Sequence, residues 1–272
     1  MSDVPGYLHG YTDEEAQRLI DQAEFLAPWV FDGVDLAGAG TLLEVGMGVG
    51  AETRLLRARW PGLRVVGCDI SAGQVAHARR VLAADLAAGK VEVLRASATA
   101  VPLPAASADG AFVCWLLEHV PDPAAVMREV ARVVRPGGRV FVTEVYNHSL
   151  TLEPTQPLLE RFWSAYNETQ RRAGGHPNIG GRLGELAAAA GLEIVSYRFL
   201  PVQGDARNPK RRAEIMRYFL TLMKSAEPQV LAAGLFDARE LPEVWASWER
   251  VLAAPDGLFC YTMSKLEARV PG

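Results

Sequence analysis

The sequence predicts an α/β chain with a doubly wound, mostly parallel sheet of seven strands, an antiparallel last strand and helical insertions that cap it. Three observations carry that expectation. The run Thr41-Leu42-Leu43-Glu44-Val45 is largely apolar, as a strand buried on both faces requires, and it leads at once into Gly46-Met47-Gly48-Val49-Gly50. A second, β-branched run, Leu63 to Ile70, carries an acid at its end, Asp69, 23 positions after Gly46. Strand and helix patterns then alternate as far as residue 146, the order that a parallel sheet with crossover helices needs.

In chain order, the first element is a helix from Asp13 to Val30. Its apolar stripe is Ala16, Leu19, Ile20, Ala23, Leu26 and Val30, and Thr12 with Glu15 forms a capping box. Strands follow near 41–45, 64–69, 91–95, 109–115 and 139–146. The helices between them run from Ala51 to Arg59, stopped by Pro61-Gly62, from Ala72 to Ala88, stopped by Gly89, and from Pro123 to Val134, capped by Asp122. The stretch 147–257 is too long for connections alone and is expected to cap the sheet, with one short strand near 192–199 returning to it. The last strand, Leu258 to Lys265, alternates apolar and polar residues as an antiparallel edge strand does. The expected organisation is a lid and helix over 1–30, a ligand-binding core over 31–146, a cap over 147–257 and a final strand and tail over 258–272.

Composition excludes several classes. With 272 residues, 49% hydrophobic and 22% charged, the chain is large enough for a sizeable core, and a net charge of −4 makes it a poor nucleic-acid binder. No apolar run approaches the ~20 residues of a membrane span, and Met1-Ser2-Asp3-Val4-Pro5 lacks the regions of a signal peptide. Cys68, Cys114 and Cys260 lie far apart inside strand patterns, so reduced core thiols in a cytoplasmic protein are expected and no metal site. A homo-oligomer is left open.

The alternating glycines let the backbone adopt positive φ and approach a ligand closely. Asp69, at the tip of the second strand, has the spacing of an acid that accepts hydrogen bonds from a ribose diol; the other reading is a cap for the helix after Ser71. Nicotinamide and adenosyl-sulfonium cofactors share this opening, and two later blocks separate them. Ala108-Asp109-Gly110-Ala111-Phe112-Val113-Cys114-Trp115-Leu116-Leu117-Glu118-His119-Val120-Pro121-Asp122-Pro123 and Val133-Val134-Arg135-Pro136-Gly137-Gly138-Arg139-Val140-Phe141-Val142-Thr143-Glu144 resemble the class I S-adenosylmethionine-dependent methyltransferases. They are similar above all to the branch with the ubiquinone and menaquinone C-methyltransferases and many small-molecule enzymes. The resemblance covers about residues 38–146.

That resemblance implies a Rossmann-like fold and S-adenosylmethionine as cofactor. It implies Glu44 near the cofactor's amino group, Gly46, Gly48 and Gly50 around its methionine portion, and Asp69 on the ribose. Ile70 would lie against the adenine, Ser97 and Ala98 at its edge, and Trp115 and Leu116 along the cleft. Ser97 departs from the family, which has an Asp there, and gives up charge assistance in holding the adenine amine.

For the methyl acceptor, the cap is rich in rings, and Phe162, Trp163 and Tyr166 are candidate substrate contacts, with cap packing as the other reading of each. Tyr7 and His176 join them, Tyr7 within a polar aromatic segment, Tyr7-Leu8-His9-Gly10-Tyr11, read either as a lid or as a frayed end. His148, His119 and Tyr11 are the candidate proton acceptors, and His176 and Glu144 further ones. His148 follows the fifth strand and is placed to reach over the cofactor or to stand as an exposed loop histidine. Arg207 to Arg212 is a basic run suited to an anionic group, to solvent or to a subunit contact. The expected activity is methyl transfer to an O, N or C nucleophile of an apolar or aromatic small molecule in specialised metabolism. Alternatives are a cofactor-bound cyclase or binding module and, more remotely, a nicotinamide-dependent oxidoreductase.

Overall fold

A computed structural model of the chain describes residues 13–272. The first helix, α1 (Asp13–Val30), precedes the series β1 (Thr41–Val45), α2 (Ala51–Arg59), β2 (Arg64–Asp69), α3 (Ala72–Val81), α4 (Ala83–Ala87) and β3 (Val91–Arg95). Then come β4 (Ala108–Cys114), α5 (Pro123–Val133), β5 (Val134–Val145), the short β6 (Thr151–Glu153), α6 (Pro157–Arg172), α7 (Leu183–Ala189) and β7 (Glu193–Gly204). The chain closes with α8 (Pro209–Ser225), α9 (Glu227–Ala232), α10 (Leu241–Ala253) and β8 (Leu258–Arg269).

The first five strands are parallel in the order β3-β2-β1-β4-β5, and β8 runs antiparallel beside β5. β7 pairs antiparallel along the other side of β8, so β7 forms the edge and β8 lies inside the sheet. This corrects the edge-strand reading of the last element: its alternation reports two different faces. Phe259, Tyr261 and Met263 point to one core and Leu266 and Ala268 to the other. The eighth strand, β6, is three residues long and continues the β5 side of β8.

Two cores follow from the period of two along each strand. Leu42, Phe112 and Phe141 face the first, which joins α1 and α2 to the capping helices α6, α8 and α10. Leu43, Val113 and Val142 face the second, covered by α5 and α7. The long helix expected over 72–88 breaks at Leu82 into α3 and α4. Gly50 shows why Leu82 matters there: a Cβ on Gly50 would come 2.6 Å from the Leu82 side chain, so the third glycine of the turn serves helix packing.

Candidate active site

One cavity of about 480 Å³ opens at the carboxyl ends of β1, β2 and β4, on the face covered by α1, α6 and α8. Gly46 and Gly48, with φ of 75° and 51°, form its floor beside β1. The N–H groups of Gly46 and Met47 donate to the Cys68 carbonyl (2.9 and 3.0 Å), which bends the turn over the end of β2. A Cβ on Gly46 would stand 2.7 Å from Leu116, whereas one on Gly48 would enter open space, so the backbone at Gly48 can be approached by a ligand.

Asp69 lines this cavity and joins two of its loops: Oδ2 accepts the Gly48 N–H (3.0 Å) and Oδ1 the Ser71 N–H (2.9 Å). Burial holds its pKa above the usual carboxylate value. The cap of α3 is Ser71, whose hydroxyl accepts from the Gln74 N–H (3.3 Å). Ile70 is 48% exposed, an apolar surface on the cavity wall, with Ser97 and Ala98 among the residues that also line it. The Ser97 hydroxyl is engaged with Thr99, as partner of its hydroxyl (2.9 Å) and acceptor of its N–H (3.2 Å).

At the end of β4, Trp115 adopts φ 48°, a left-handed conformation that costs a residue with a Cβ of order 1–2 kcal/mol. The turn is held by buried Glu144, whose Oε1 accepts the N–H groups of Leu116 and Leu117 (2.9 and 2.6 Å). Glu144 is therefore a backbone clamp; it does not line the cavity, and burial together with the nearby Glu118 carboxylate raises its pKa. Trp115 and Leu116 do line it, as do Glu118 and His119. Glu118 accepts from Gln170 Nε2 (2.7 Å), and its carboxylate lies 3.6 Å from His119 Nε2.

The other half of the cavity is aromatic. Trp163 and Tyr166 stack with centroids 4.8 Å apart, and Tyr218, Phe219 and Tyr261 complete the wall. The Tyr261 hydroxyl donates to Asn147 Oδ1 (2.8 Å), Asn147 Nδ2 donates to Asn167 Oδ1 (2.7 Å), and Trp163 Nε1 donates to the Asn147 carbonyl (2.9 Å). This buried network fixes the rings of β8 and α6 relative to each other. Burial pushes the phenols of Tyr166, Tyr218 and Tyr261 above their ordinary pKa.

Of the residues singled out in the sequence, Gly46, Gly48, Asp69, Ile70, Ser97, Ala98, Trp115, Leu116, His119, Trp163 and Tyr166 meet at this cavity. Others stand elsewhere. Glu44 is buried behind the turn, accepts from the Thr53 hydroxyl (2.5 Å) and does not line the cavity. His148 lines a separate depression of about 310 Å³ with Glu160 and Arg171. Phe162 is fully buried against Phe236 and Trp245 (centroids 5.3 and 5.1 Å), a packing residue of the cap. His176 donates its backbone N–H to the Glu118 carbonyl (2.7 Å) and lies outside the cavity lining. Tyr7 and Tyr11, with the proposed lid, lie outside the described residues. The three arginines of the basic run are engaged internally: Arg207 pairs with Asp205, Arg211 with Glu214, and Arg212 donates to the carbonyls of Leu252, Ala254 and Gly257.

Sequence reasoning missed Arg18 and Gln22 of α1, Glu52 of α2, Asn147 and Tyr261. The alternation of β8 was the available signal for Tyr261, and the i,i+4 spacing of Arg18 and Gln22 for α1.

Comparison with known proteins agrees with this arrangement. Residues 43–142 match the family described as "Methyltransferase domain". An O-methyltransferase, resE of Aspergillus sclerotiorum, is 31% identical over 201 residues, 72% of this chain and 73% of that one. The chain belongs to the class I S-adenosylmethionine-dependent methyltransferase family. The ubiquinone/menaquinone biosynthesis C-methyltransferase UbiE of Syntrophotalea carbinolica is 32% identical over 172 residues, 63% of each chain. This methyltransferase-family chain thus spans about three-fifths of the length of the first curated relatives it matches. Among solved structures, the [4+2]-cyclase SpnF shares the fold at a TM-score of 0.57 and 23% identity, covering 98% of this chain and 89% of that one. Among the described residues no helix is long and apolar enough to cross a membrane.

Proposed function

We propose that the protein transfers the methyl group of S-adenosylmethionine to an oxygen, nitrogen or carbon nucleophile of a largely apolar, aromatic small molecule of the natural-product kind, with S-adenosylhomocysteine as the second product. The observation that carries the reading is that two unlike halves share one cavity. One half offers open glycine backbone, a carboxylate at the tip of β2 and the apolar Ile70; the other offers Trp163, Tyr166, Tyr218 and Tyr261. Gly46, Gly48 and Asp69 are the residues suited to hold the cofactor, which when bound supplies an already electrophilic methyl carbon. What remains for the chain is to bind, align and exclude water, and alignment is worth up to ~7–11 kcal/mol of barrier in favourable cases.

The phenols, their pKa raised by burial, keep their protons at neutral pH; Tyr261 gives its hydrogen to Asn147 Oδ1, which leaves Tyr218 as the phenol suited to donate to the acceptor. His119, on the cavity wall beside Glu118, is the histidine suited to take a proton. Three unpaired cysteines fit a reducing compartment, the cytoplasm, and the internal pairing of Arg207, Arg211 and Arg212 together with a net charge of −4 disfavours a nucleic-acid partner.

The test is incubation with methyl-labelled S-adenosylmethionine and a panel of phenols, aromatic carboxylic acids and amines. Label in an acceptor with matching S-adenosylhomocysteine supports the reading. An acceptor rearranged without label would favour the cyclase alternative, and no turnover of the cofactor with any acceptor would count against methyl transfer.

A further inference from the structure

Four carboxylates of the described residues line the cavity, and three of them are committed. Asp69 takes the N–H groups of Gly48 and Ser71, Glu118 takes Gln170, and Asp122 caps α5 through the Ala125 N–H (2.8 Å). Glu52 is the fourth. It stands two residues beyond Gly50 in the first turn of α2, half-buried, and among the described residues no other residue is found hydrogen-bonded to its carboxylate.

Among the described residues no ion pair to Glu52 is found. The groups that act on one another with Glu52 are Glu44 of β1, Cys114 at the end of β4 and Tyr218 of α8. Burial lifts Glu44 to about 8 and raises the Cys114 thiol and the Tyr218 phenol, so all three are mainly neutral at pH 7. Arg18, the cation that α1 brings to the cavity, is held by both oxygens of Glu15 (2.6 and 2.7 Å) and by Gln22 (2.7 Å). Burial raises Glu52 itself to about 7, which leaves the carboxyl poised between its two forms at neutral pH.

Its position narrows what it serves. Glu52 follows directly on the glycine turn of the cofactor half, and its field reaches Tyr218 of the aromatic half, so it sits at the border between them. A group carried from one half to the other crosses that border. Glu44, the acid that family resemblance sets beside the cofactor's methionine end, is occupied by Thr53 and withdrawn behind the turn.

We infer that Glu52 is the counter-charge for the sulfonium of S-adenosylmethionine, a specificity residue that separates the methyl donor from its neutral-sulfur product. The inference rests on the methyl-transfer reading. It explains how the site can release S-adenosylhomocysteine after transfer: the sulfur loses its positive charge, and the carboxylate loses its partner. A cation beside Glu52 also favours its ionised form, so binding of the donor at pH 7 expels part of a proton, and affinity for the donor falls as pH drops below 7.

Isothermal titration at pH 7 in two buffers of different ionisation enthalpy tests this with S-adenosylmethionine and S-adenosylhomocysteine on wild type, Glu52→Gln and Glu52→Asp. Wild type is expected to release a fraction of a proton with the sulfonium ligand only. Glu52→Gln should lose that release and bind S-adenosylmethionine about tenfold more weakly, a change of about 1.4 kcal/mol, with S-adenosylhomocysteine altered less than about twofold. Glu52→Asp, which keeps the charge, should retain most of the preference. Equal weakening of both ligands would assign Glu52 to the amino group they share and overturn the inference, as would no change in either. If wild type binds neither ligand, the methyl-transfer reading fails as well. Binding of both by wild type with no donor-specific effect in Glu52→Gln overturns the counter-charge alone.

Discussion

Lys265 caps the carboxyl end of α1, and replacing it with Met is the most informative test of how the cavity roof is built. The side chain is buried on β8, where Nζ donates to the carbonyls of Trp29 (3.1 Å), Val30 (2.7 Å) and Asp32. Carbonyls at a helix end have no partner within the helix, and α1 has no basic residue of its own in its last turn. Met has similar bulk and no donor. Among the described residues only the Val30 carbonyl is left with no other donor, because that of Trp29 also accepts the Asp32 N–H (3.3 Å) and that of Asp32 the Arg198 guanidinium (3.5 Å). What is lost is three hydrogen bonds from a charged donor, at about 1.5–3 kcal/mol each, or about 4–9 kcal/mol. Removing the ammonium also relieves the penalty of burying it, several kcal/mol, leaving a net loss of about 2–4 kcal/mol. Urea unfolding measures that loss, and hydrogen exchange locates it. The α1 amides should exchange faster in Lys265→Met while those of α5, on the opposite face, keep their protection relative to global unfolding. Because α1 carries Arg18 and Gln22 to the cavity, affinity for S-adenosylmethionine should fall as well. A stability change below about 0.5 kcal/mol with unaltered α1 exchange would refute the anchoring role.

Three further outcomes follow from the geometry. Gly46→Ala places a Cβ at φ 75° and 2.7 Å from Leu116; it should cost about 1–2 kcal/mol of stability and, by displacing a cavity wall, weaken S-adenosylhomocysteine binding at least about tenfold by titration. Phe162→Ala should cost about 3–5 kcal/mol in urea unfolding, yet leave that affinity within about twofold, because the ring packs on Phe236 and Trp245 outside the cavity. Glu44 titrates near 8 in the fold and near 4.5 in the unfolded chain, so the folded state binds more protons between those values and wild-type stability falls as pH rises through that window. Glu44→Gln should remove this carboxyl's share, up to about 1.4 kcal/mol per pH unit, when unfolding is measured from pH 5 to 8. An unchanged slope would mean that Glu44 is not buried as described.

The parts of the fold legible in the sequence were those where backbone sterics or burial leave few choices. Strands β1, β2 and β4 had to be apolar, being covered on both faces, and Gly46 and Gly48 had to lack a Cβ for the turn to bend toward β2. Asp69 could be placed because strand length and crossover length together fix an acid at the tip of β2. The sequence did not disclose direction of approach. His148 follows β5 at the carboxyl end of the sheet, as a cavity residue should, but a short 3₁₀ turn over Asn147–Ser149 puts Asn147 in the cavity lining and His148 outside it. Phe162 and Trp163 are adjacent on α6, and only the three-dimensional packing of α10 decides which one faces the ligand. Glu52 carried no motif; its importance comes from what its neighbours do not offer, which only the assembled cavity shows.

The central claim is that the β1 turn and Asp69 hold an adenosyl-sulfur cofactor, and isothermal titration of wild type and Asp69→Ala with S-adenosylmethionine, S-adenosylhomocysteine and NAD tests it most directly. The account predicts micromolar binding of both sulfur ligands by wild type, loss of both in Asp69→Ala and no binding of NAD. Binding of NAD alone, binding of no ligand, or undiminished affinity in Asp69→Ala would contradict it.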